Sequence, residues 1–462
     1  MWFAENISWR QFRRSLGAFS AIVCKDGSTV WAEDATGKTI ASGESGVDDA
    51  SVIQKALASL TLNRRWKERI VLKGDFIVRD SILLDDYTIL DLTQSRLFLA
   101  KNANVDIIKN KDQANGNEHI EIWGGMLFGN KDEQTSYMSG IYFKAVNNFK
   151  IIGARFHACR NSATKIRACI NGIIAFSEAD SCGTSTQEAG FVCGESKRIT
   201  FEMCFAYNGG RGGFEIEDGC GDIHLKNCYA WKNGDNDFNT HSHPDFGPND
   251  TIIFENCYAG YSPYGFYLLG DNQTPKNDYH VRLISCTSIS NTKGIYAARQ
   301  IDLEIYKCII QNYKEYGVDI SDTTGLKIRD VTIDYSTSTS IYAYRLQSCT
   351  NVYELDVVTR NISDGGEKYL SNVKLWKNVG TATFSGDGTT TDFEIGAHGL
   401  VTTDPSKIAV KVTPASSDAI AASPCVGYVD PVDNTKIKVK FSSAPASGSG
   451  NVKIVWYAEV IS

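Results

Sequence analysis

Proline is scarce in this chain of 462 residues, at 9 against 40 glycines, and methionine is scarcer at 4. That balance excludes collagen, and the mix of 42% hydrophobic with 22% charged residues excludes a disordered polyelectrolyte or a long coiled coil. An excess of basic charge is also missing: 47 Lys and Arg face 54 Asp and Glu, a formal net charge of -7. A nucleic-acid binder with a dominant basic field is therefore excluded. No apolar run approaches the roughly 18 residues of a membrane span. The N-terminal Arg10, Arg13 and Arg14 precede an apolar stretch from Leu16 to Cys24, but Gly17 and Ser20 interrupt it. The arginines could belong to an export signal, but the stretch continues as a strand-like segment, so no clear signal peptide is expected. No CxxC or other compact metal-ligand spacing occurs, and thirteen cysteines leave at least one unpaired in a monomer.

What is present is a repeat. Ile199-Thr-Phe-Glu-Met-Cys204, Ile223-His-Leu-Lys-Asn-Cys228 and Ile252-Ile-Phe-Glu-Asn-Cys257 share one phrase, continued by Val281 to Cys286 and Leu303 to Cys308. The cysteines are spaced by 24, 29, 29 and 22 residues (228−204, 257−228, 286−257, 308−286). A variable period of this size, built from short alternating strands, indicates a β-solenoid. A second phrase, often opened by glycine, follows each first one: Gly190-Phe-Val-Cys193, Gly213-Phe-Glu-Ile216, Asp237-Phe-Asn-Thr240, Gly265-Phe-Tyr-Leu268, Gly294-Ile-Tyr-Ala297 and Gly317-Val-Asp-Ile320. Strand alternation points Phe191, Phe214, Phe238, Phe266, Ile295 and Val318 inward as a ladder. Cys204, Cys228, Cys257, Cys286 and Cys308 form another, of free buried thiols. Asn227 and Asn256, just before two of them, suggest a polar turn ladder.

Both ends of the repeat are marked. Asp48 and Asp49 are N-cap candidates before Val52, Ile53, Ala56, Leu57 and Leu60, whose spacing predicts an amphipathic helix covering the exposed end of a solenoid. Before it, Ala18–Cys24 and Thr29–Ala32 flank a hairpin turn at Lys25-Asp26-Gly27. After about Lys377 the phrase disappears. Strands such as Ile408–Val412, Ile437–Phe441 and Val452–Tyr457, among Gly, Ser, Thr and Asp turns, read as an all-β sandwich. The expected organisation is an N-terminal hairpin arm over 1–45, a capped solenoid over 46–377 and a sandwich over 378–462.

The segment GVDDASVIQKAL followed by IVLKGDFIV, with GGFEIEDGCGDIHLKNCYAWKNG and TIIFENCYAGYSPYGFYLLG, resembles the right-handed parallel β-helix of the pectate-lyase-like superfamily, which includes polysaccharide lyases, glycoside hydrolases and phage tailspikes. The resemblance covers about 45 to 375. It implies an all-β parallel β-helix, a carbohydrate substrate, and an extracellular or virion-associated setting. Tailspike-like chains often form trimers, so a homotrimer is an expectation of the same kind. The chain lacks the GHG of polygalacturonase-type hydrolases and the WIDH-type phrase of pectate lyases, so no catalytic residue is carried over by motif.

Strand parity points to a site instead. One outward row would hold Tyr142, Ile174, Val192, Glu215, Asn239, Tyr267, Tyr296 and Asp319. A second would hold Lys144, Phe176, Gly194, Glu217, His241, Leu269, Ala298 and Ser321. Glu215, Glu217, Asn239, His241 and Tyr267 thus meet on three adjacent coils, with Asp218, His243 and Asp245 just beyond and the polar stretch Gly234–Asn249 alongside. Aromatic rings, carboxylates and amides on a flat sheet suit a sugar-binding groove.

Two chemistries fit, and a third reading needs none. For β-elimination on a uronic acid, His241 is the base, Asn239, Arg211 or Arg299 neutralises the carboxylate, and Tyr267 donates the proton. Tyr296, Tyr142, Lys144 and His243 would contact the polymer. For hydrolysis, Glu215 and Glu217 sit about 6.5–7 Å apart at i and i+2, near an inverting pair, with Asp218 as a further carboxylate. A non-catalytic carbohydrate-binding spike or adhesin suits the same surface. No cofactor is required; calcium is the cation that Glu215, Glu217, Asp218 or Asp237 would suit, and His241, His243 and Asp245, with His224 further off, form a weaker transition-metal set. The expected activity is a polysaccharide lyase acting on an acidic polysaccharide.

Overall fold

Alternating inward apolar and outward polar side chains, repeated once per coil, can bury their apolar face only by stacking coil on coil. The computed structural model shows that stack; it describes residues 18–185, 188–243, 245–270, 278–334, 342–360, 368–371 and 373–461. Arg10, Arg13, Arg14, Leu16 and Gly17 lie outside these residues. The described chain is a right-handed parallel β-helix with a C-terminal pair of small antiparallel sheets.

Each coil gives one longer and one shorter strand to a 26-stranded sheet, then a third strand to a 12-stranded sheet. In one coil these are Lys197–Glu202, Phe205–Tyr207 and Gly212–Glu217; in the next they are Gly221–Lys226, Tyr229–Trp231 and Asn236–His241. The predicted inward ladder is in register: Phe191 pairs with Phe214, then Phe238, Phe266, Ile295 and Val318. The phenylalanine rings stack at 5.0–5.1 Å, and each is fully buried. Burying a phenylalanine contributes roughly 1.5–3 kcal/mol, so this column is a principal cohesive element.

The thiol ladder is equally regular. Cys204, Cys228, Cys257, Cys286 and Cys308 are buried and free, at the corner between the two strands of the long sheet. The residue before each lies in the left-handed region: Met203, Asn227, Asn256, Ser285 and Lys307 have φ of 50–54°. Asparagine tolerates that conformation best among side-chain-bearing residues, which accounts for Asn227 and Asn256.

The helix forms over Asp49–Ala58 and buries Val52, Ile53, Ala56 and Leu57. Asp48 stands at the N-cap, but its carboxylate accepts from the Glu44 amide (2.8 Å) and does not cap the helix. Asp49 is fully buried and accepts from the amides of Gly46 (2.8 Å) and Ile77 (2.6 Å) while pairing with Lys25 Nζ at 2.6 Å. One carboxylate thus joins the helix, the hairpin and the first coil. The hairpin forms with strands Ala21–Asp26 and Thr29–Asp34, so Lys25 and Asp26 extend the first strand and the turn falls at Gly27-Ser28; the first strand also pairs in parallel with Glu68–Val78. At the other end, parallel bridges run Val352 to Leu375 to Leu400. Sheets of Lys377–Gly386, Gly448–Val460 and Ile408–Pro414, and of Asp392–Ala397, Lys436–Phe441 and Cys425–Val429, follow. Phe441, Val452 and Ile454 pack between them.

Candidate active site

The 12-stranded sheet presents two outward rows as a groove floor. Its register gives the first as Tyr142, Lys165, Val192, Glu215, Asn239, Tyr267, Tyr296, Asp319 and Arg345. The second runs Lys144, Arg167, Gly194, Glu217, His241, Leu269, Ala298, Ser321 and Gln347. Two members of the expected rows are therefore corrected. Ile174 belongs to strand Ile170–Ala175 of the long sheet and is buried, and Phe176 sits at the following corner with φ 52°. The segment Gly172-Ile-Ile-Ala-Phe176 looks like a groove strand but occupies the other sheet. Sequence reasoning misses Lys165 and Arg167, because Thr164-Lys-Ile-Arg167 lacks the Gly-Phe opening. The available signal was its alternation, 23 residues (164−141) after Ile141-Tyr-Phe-Lys144.

Five predicted residues converge. Glu215 is 2% exposed, and its Oε1 accepts from Asn239 Nδ2 at 3.2 Å. Arg211 Nη1 lies 3.5 Å from the same oxygen. The His241 ring bridges the two carboxylates, with Nδ1 3.5 Å from Glu215 and Nε2 3.6 Å from Glu217. Glu215 Oε2 and Asn239 Oδ1 are buried and have no protein partner. Both keep acceptor capacity that the protein does not use.

Glu217 is the unusual group. Burial first, and the neighbouring Glu215 carboxylate second, push it up to about 8, against the opposing pull of Lys165. At neutral pH it is largely protonated and can donate a hydrogen bond. Tyr267, one coil on, is pushed up to about 12 by burial and by Tyr296 and Tyr264, so it keeps its proton. Its ring stacks on Tyr296 at 5.2 Å.

The cations flank this cluster. Lys165 pairs with Glu188 and Arg167 with Glu195, two coils before Glu217. Arg167 Nη2 also lies 3.7 Å from Asp218, which stands at a left-handed corner and is 7% exposed. Lys293 and Arg345 hold the buried Asp319 on the other side, at 3.3 and 2.5 Å. Between Arg167 and Glu217 the row drops to Gly194, where an added Cβ would approach Glu217 Cγ to 3.2 Å. Tyr142 and Lys144 lie on the same floor, three strands from Glu215 and Glu217. Arg299 donates through Nε to the Gly270 carbonyl at 3.0 Å, beside the groove.

Several expectations for ligands do not hold. Asp237 is not in the groove: it is fully buried in the interior, accepting from Asn233 Nδ2 (2.8 Å) and Ser262 Oγ (2.7 Å), and burial raises its carboxyl strongly. It precedes Phe238 at a corner where alternation breaks, so it takes the inward place that Gly213 holds one coil earlier. The polar stretch divides into groove strand Asn236–His241 and a following turn, with Pro244 outside the described residues. In that turn His243 is 57% exposed and pairs with Asp245 at 3.4 Å, away from His241. His224 is on the long sheet with Glu255 at 2.9 Å. The transition-metal set is therefore dispersed. Glu215, Glu217 and His241 bring one ligand atom each within 4.8 Å of one another, the tightest arrangement of the predicted carboxylates. The same closeness counts against an inverting pair, for which about 6.5–9.5 Å leaves room for a water.

Comparisons with known proteins agree on architecture. Residues 95–249 match the family model described as a right-handed β-helix region. No curated protein sequence matches the chain. Among solved structures, the A-module of the mannuronan C-5 epimerase AlgE4 of Azotobacter vinelandii superposes on 71% of this chain and 97% of its own, with TM-score 0.63 and 17% identity. The family 28 exopolygalacturonase of Yersinia enterocolitica covers 75% and 82%, with TM-score 0.53 and 11% identity. The surface adhesin PfbA of Streptococcus pneumoniae covers 70% and 91%, with TM-score 0.53 and 11% identity. At these identities the likeness is one of fold.

Proposed function

We propose that the chain is a polysaccharide lyase that cleaves a uronic-acid-containing polysaccharide by β-elimination in this groove. The observation that carries the reading is the seating of the His241 imidazole between Glu215 and Glu217, with the latter protonated at neutrality and the protonated Tyr267 one coil away. A uronate bound here would find Lys165 and Arg167 along the floor, and Asn239, Arg211 and the Glu217 proton for its carboxylate. Neutralising that carboxylate acidifies the adjacent C5–H. His241 takes the C5 proton, the C4=C5 double bond forms as the C4–O4 bond breaks, and Tyr267 protonates the departing O4. A carboxylic acid held neutral in a buried site is a suitable donor, because it meets the substrate carboxylate without repulsion.

C5 epimerisation is a second reading, in which a proton returns to C5 from the face opposite His241. It shares proton loss with elimination, and the named activity of one structural neighbour makes mannuronan a rational first substrate. Inverting hydrolysis by Glu215 and Glu217 is disfavoured by their closeness, and a spike or adhesin would bind without turnover.

The test is ultraviolet absorbance of the unsaturated product on mannuronan and polygalacturonan, with reducing ends and proton NMR of the polymer on the same samples. Rising absorbance with matching new ends is expected. New ends without absorbance would overturn elimination in favour of hydrolysis, and an altered polymer NMR spectrum with neither would assign epimerisation. Binding without any product would leave an adhesin.

A further inference from the structure

Outside the groove, the outer face of the long sheet carries a row whose composition is hard to explain by packing alone. Successive rungs read Phe98, Phe128, His157, Asp180, Tyr207 and Trp231. Phe98 and Phe128 stack at 4.5 Å with their planes 6° apart, and Tyr207 and Trp231 stack at 4.8 Å, 9° apart. The His157 ring meets that of Phe128 at 5.8 Å, 64° between their planes, and Asp180 fills the next rung, so Phe128 and Tyr207 bound two polar rungs. Three rung spacings separate them, roughly 14 Å.

The floor between these walls is polar and organised. His157 Nδ1 lies 2.9 Å from Asp180 Oδ2, Asn208 Nδ2 donates to Asp180 Oδ1 at 3.2 Å, and Tyr207 donates to Glu178. A cavity of 210 Å³ opens here, lined by Phe128, Arg155, His157, Asp180 and Tyr207. A second, of 700 Å³, shares Phe128 and His157 and extends past Phe98 to Arg79 and Lys101. Together they form a slot with aromatic ends and convergent polar groups, the pattern expected of a small-molecule site.

We propose that this slot is a second carbohydrate-binding site, taking one to three pyranose residues of the polysaccharide without turning them over. A pyranose ring offers an apolar C–H face to Phe128 or Tyr207, while its ring-edge hydroxyls reach Asp180, His157 and Glu178. The slot opens on a different sheet from the groove. It holds a polymer strand while the groove works on another stretch of it, which raises local substrate concentration. The inference rests on the lyase reading only for the choice of probe.

Calorimetric titration of the whole chain with mannuronan and galacturonan hexasaccharides tests it, using the His241→Ala variant so that the ligand is not consumed. Two oligosaccharides per chain are expected with at least one of the two probes, falling to one in Phe128→Ala and in Tyr207→Ala. Asp180→Asn, which keeps the packing, should weaken the second site by roughly ten- to a hundredfold, the worth of one hydrogen bond to a charged group. With His241 restored, Phe128→Ala should leave turnover of a trisaccharide unchanged and slow that of long polymer. A stoichiometry of one with an intact slot, or a count unchanged by Phe128→Ala and Tyr207→Ala, overturns the second site. Two sites bound by a chain that keeps His241 and yet turns over neither probe would instead count against the groove mechanism and leave the slot standing.

Discussion

Replacing Glu217 by glutamine separates this residue's charge from its shape. Folding pushes its carboxyl up to about 8 from an ordinary 4.5. Between those values the folded chain keeps a proton that the unfolded chain has already released, so the native state binds more protons and stability falls as pH rises. The contribution is full below about 4.5, declines up to about 8 and is level above it. The interval is about 3.5 pH units (8 − 4.5), at about 1.4 kcal/mol each, which sets an upper limit of about 5 kcal/mol. Glu217→Gln has no charge to bury. It should match the wild type near pH 4.5 and exceed it at pH 9 by several kcal/mol, read from urea unfolding of both proteins at the two pH values. A difference that does not grow with pH, or a wild type more stable at pH 9, refutes the buried-acid argument. The activity readout is separate. If Glu217 serves as a neutral donor, the glutamine variant retains turnover within about tenfold and loses the fall in kcat/KM near pH 8. A loss of a thousandfold or more would make it an obligatory acid or base.

Other expectations follow from the same geometry. His241→Ala should lower elimination by about 10²–10⁴-fold with an unchanged thermal midpoint, since the ring is 30% exposed; full activity would remove it from the mechanism. Lys165 opposes the rise in the Glu217 pKa, so Lys165→Met should move the basic limb of the rate profile upwards, whereas Glu215→Gln should move it downwards. Shifts of the same sign would refute the assigned couplings. Cys257→Asp should unfold or destabilise the chain by several kcal/mol by burying an unpaired charge, as measured by urea titration, because Cys257 is 1% exposed among neighbouring thiols.

The parts legible in the sequence were those where one side chain dominates a position. Phe191, Phe214, Phe238 and Phe266 fix both register and parity, and through them Glu215, Glu217, Asn239, His241 and Tyr267 fall on one face. Parity fails where a coil lacks its marker. Ile174 and Phe176 mimic a groove strand, and only the count of coils shows that Lys165 and Arg167 hold those places. It fails again at corners, where a left-handed residue or an irregular pairing resets the alternation, and Asp237 turns inward for that reason. Neither the elevated Glu217 carboxyl nor the slot between Phe128 and Tyr207 is visible in one coil, because the first depends foremost on burial in the stack and the second on coils more than twenty residues apart.

The column of reduced cysteines has a practical meaning. Twelve of the thirteen thiols are buried, from Cys24 in the first hairpin to Cys349 near the last coils, and only Cys425 is partly open. In a body where each coil leans only on its neighbours, opening starts at an end or at a weak coil and spreads rung by rung. From Cys159 to Cys349, a coil that opens uncovers a sulfur to alkylating reagent wherever it carries one. The protein therefore carries a graduated scale along its axis, on which the order of cysteine labelling, residue by residue, writes out the direction in which the spiral unzips.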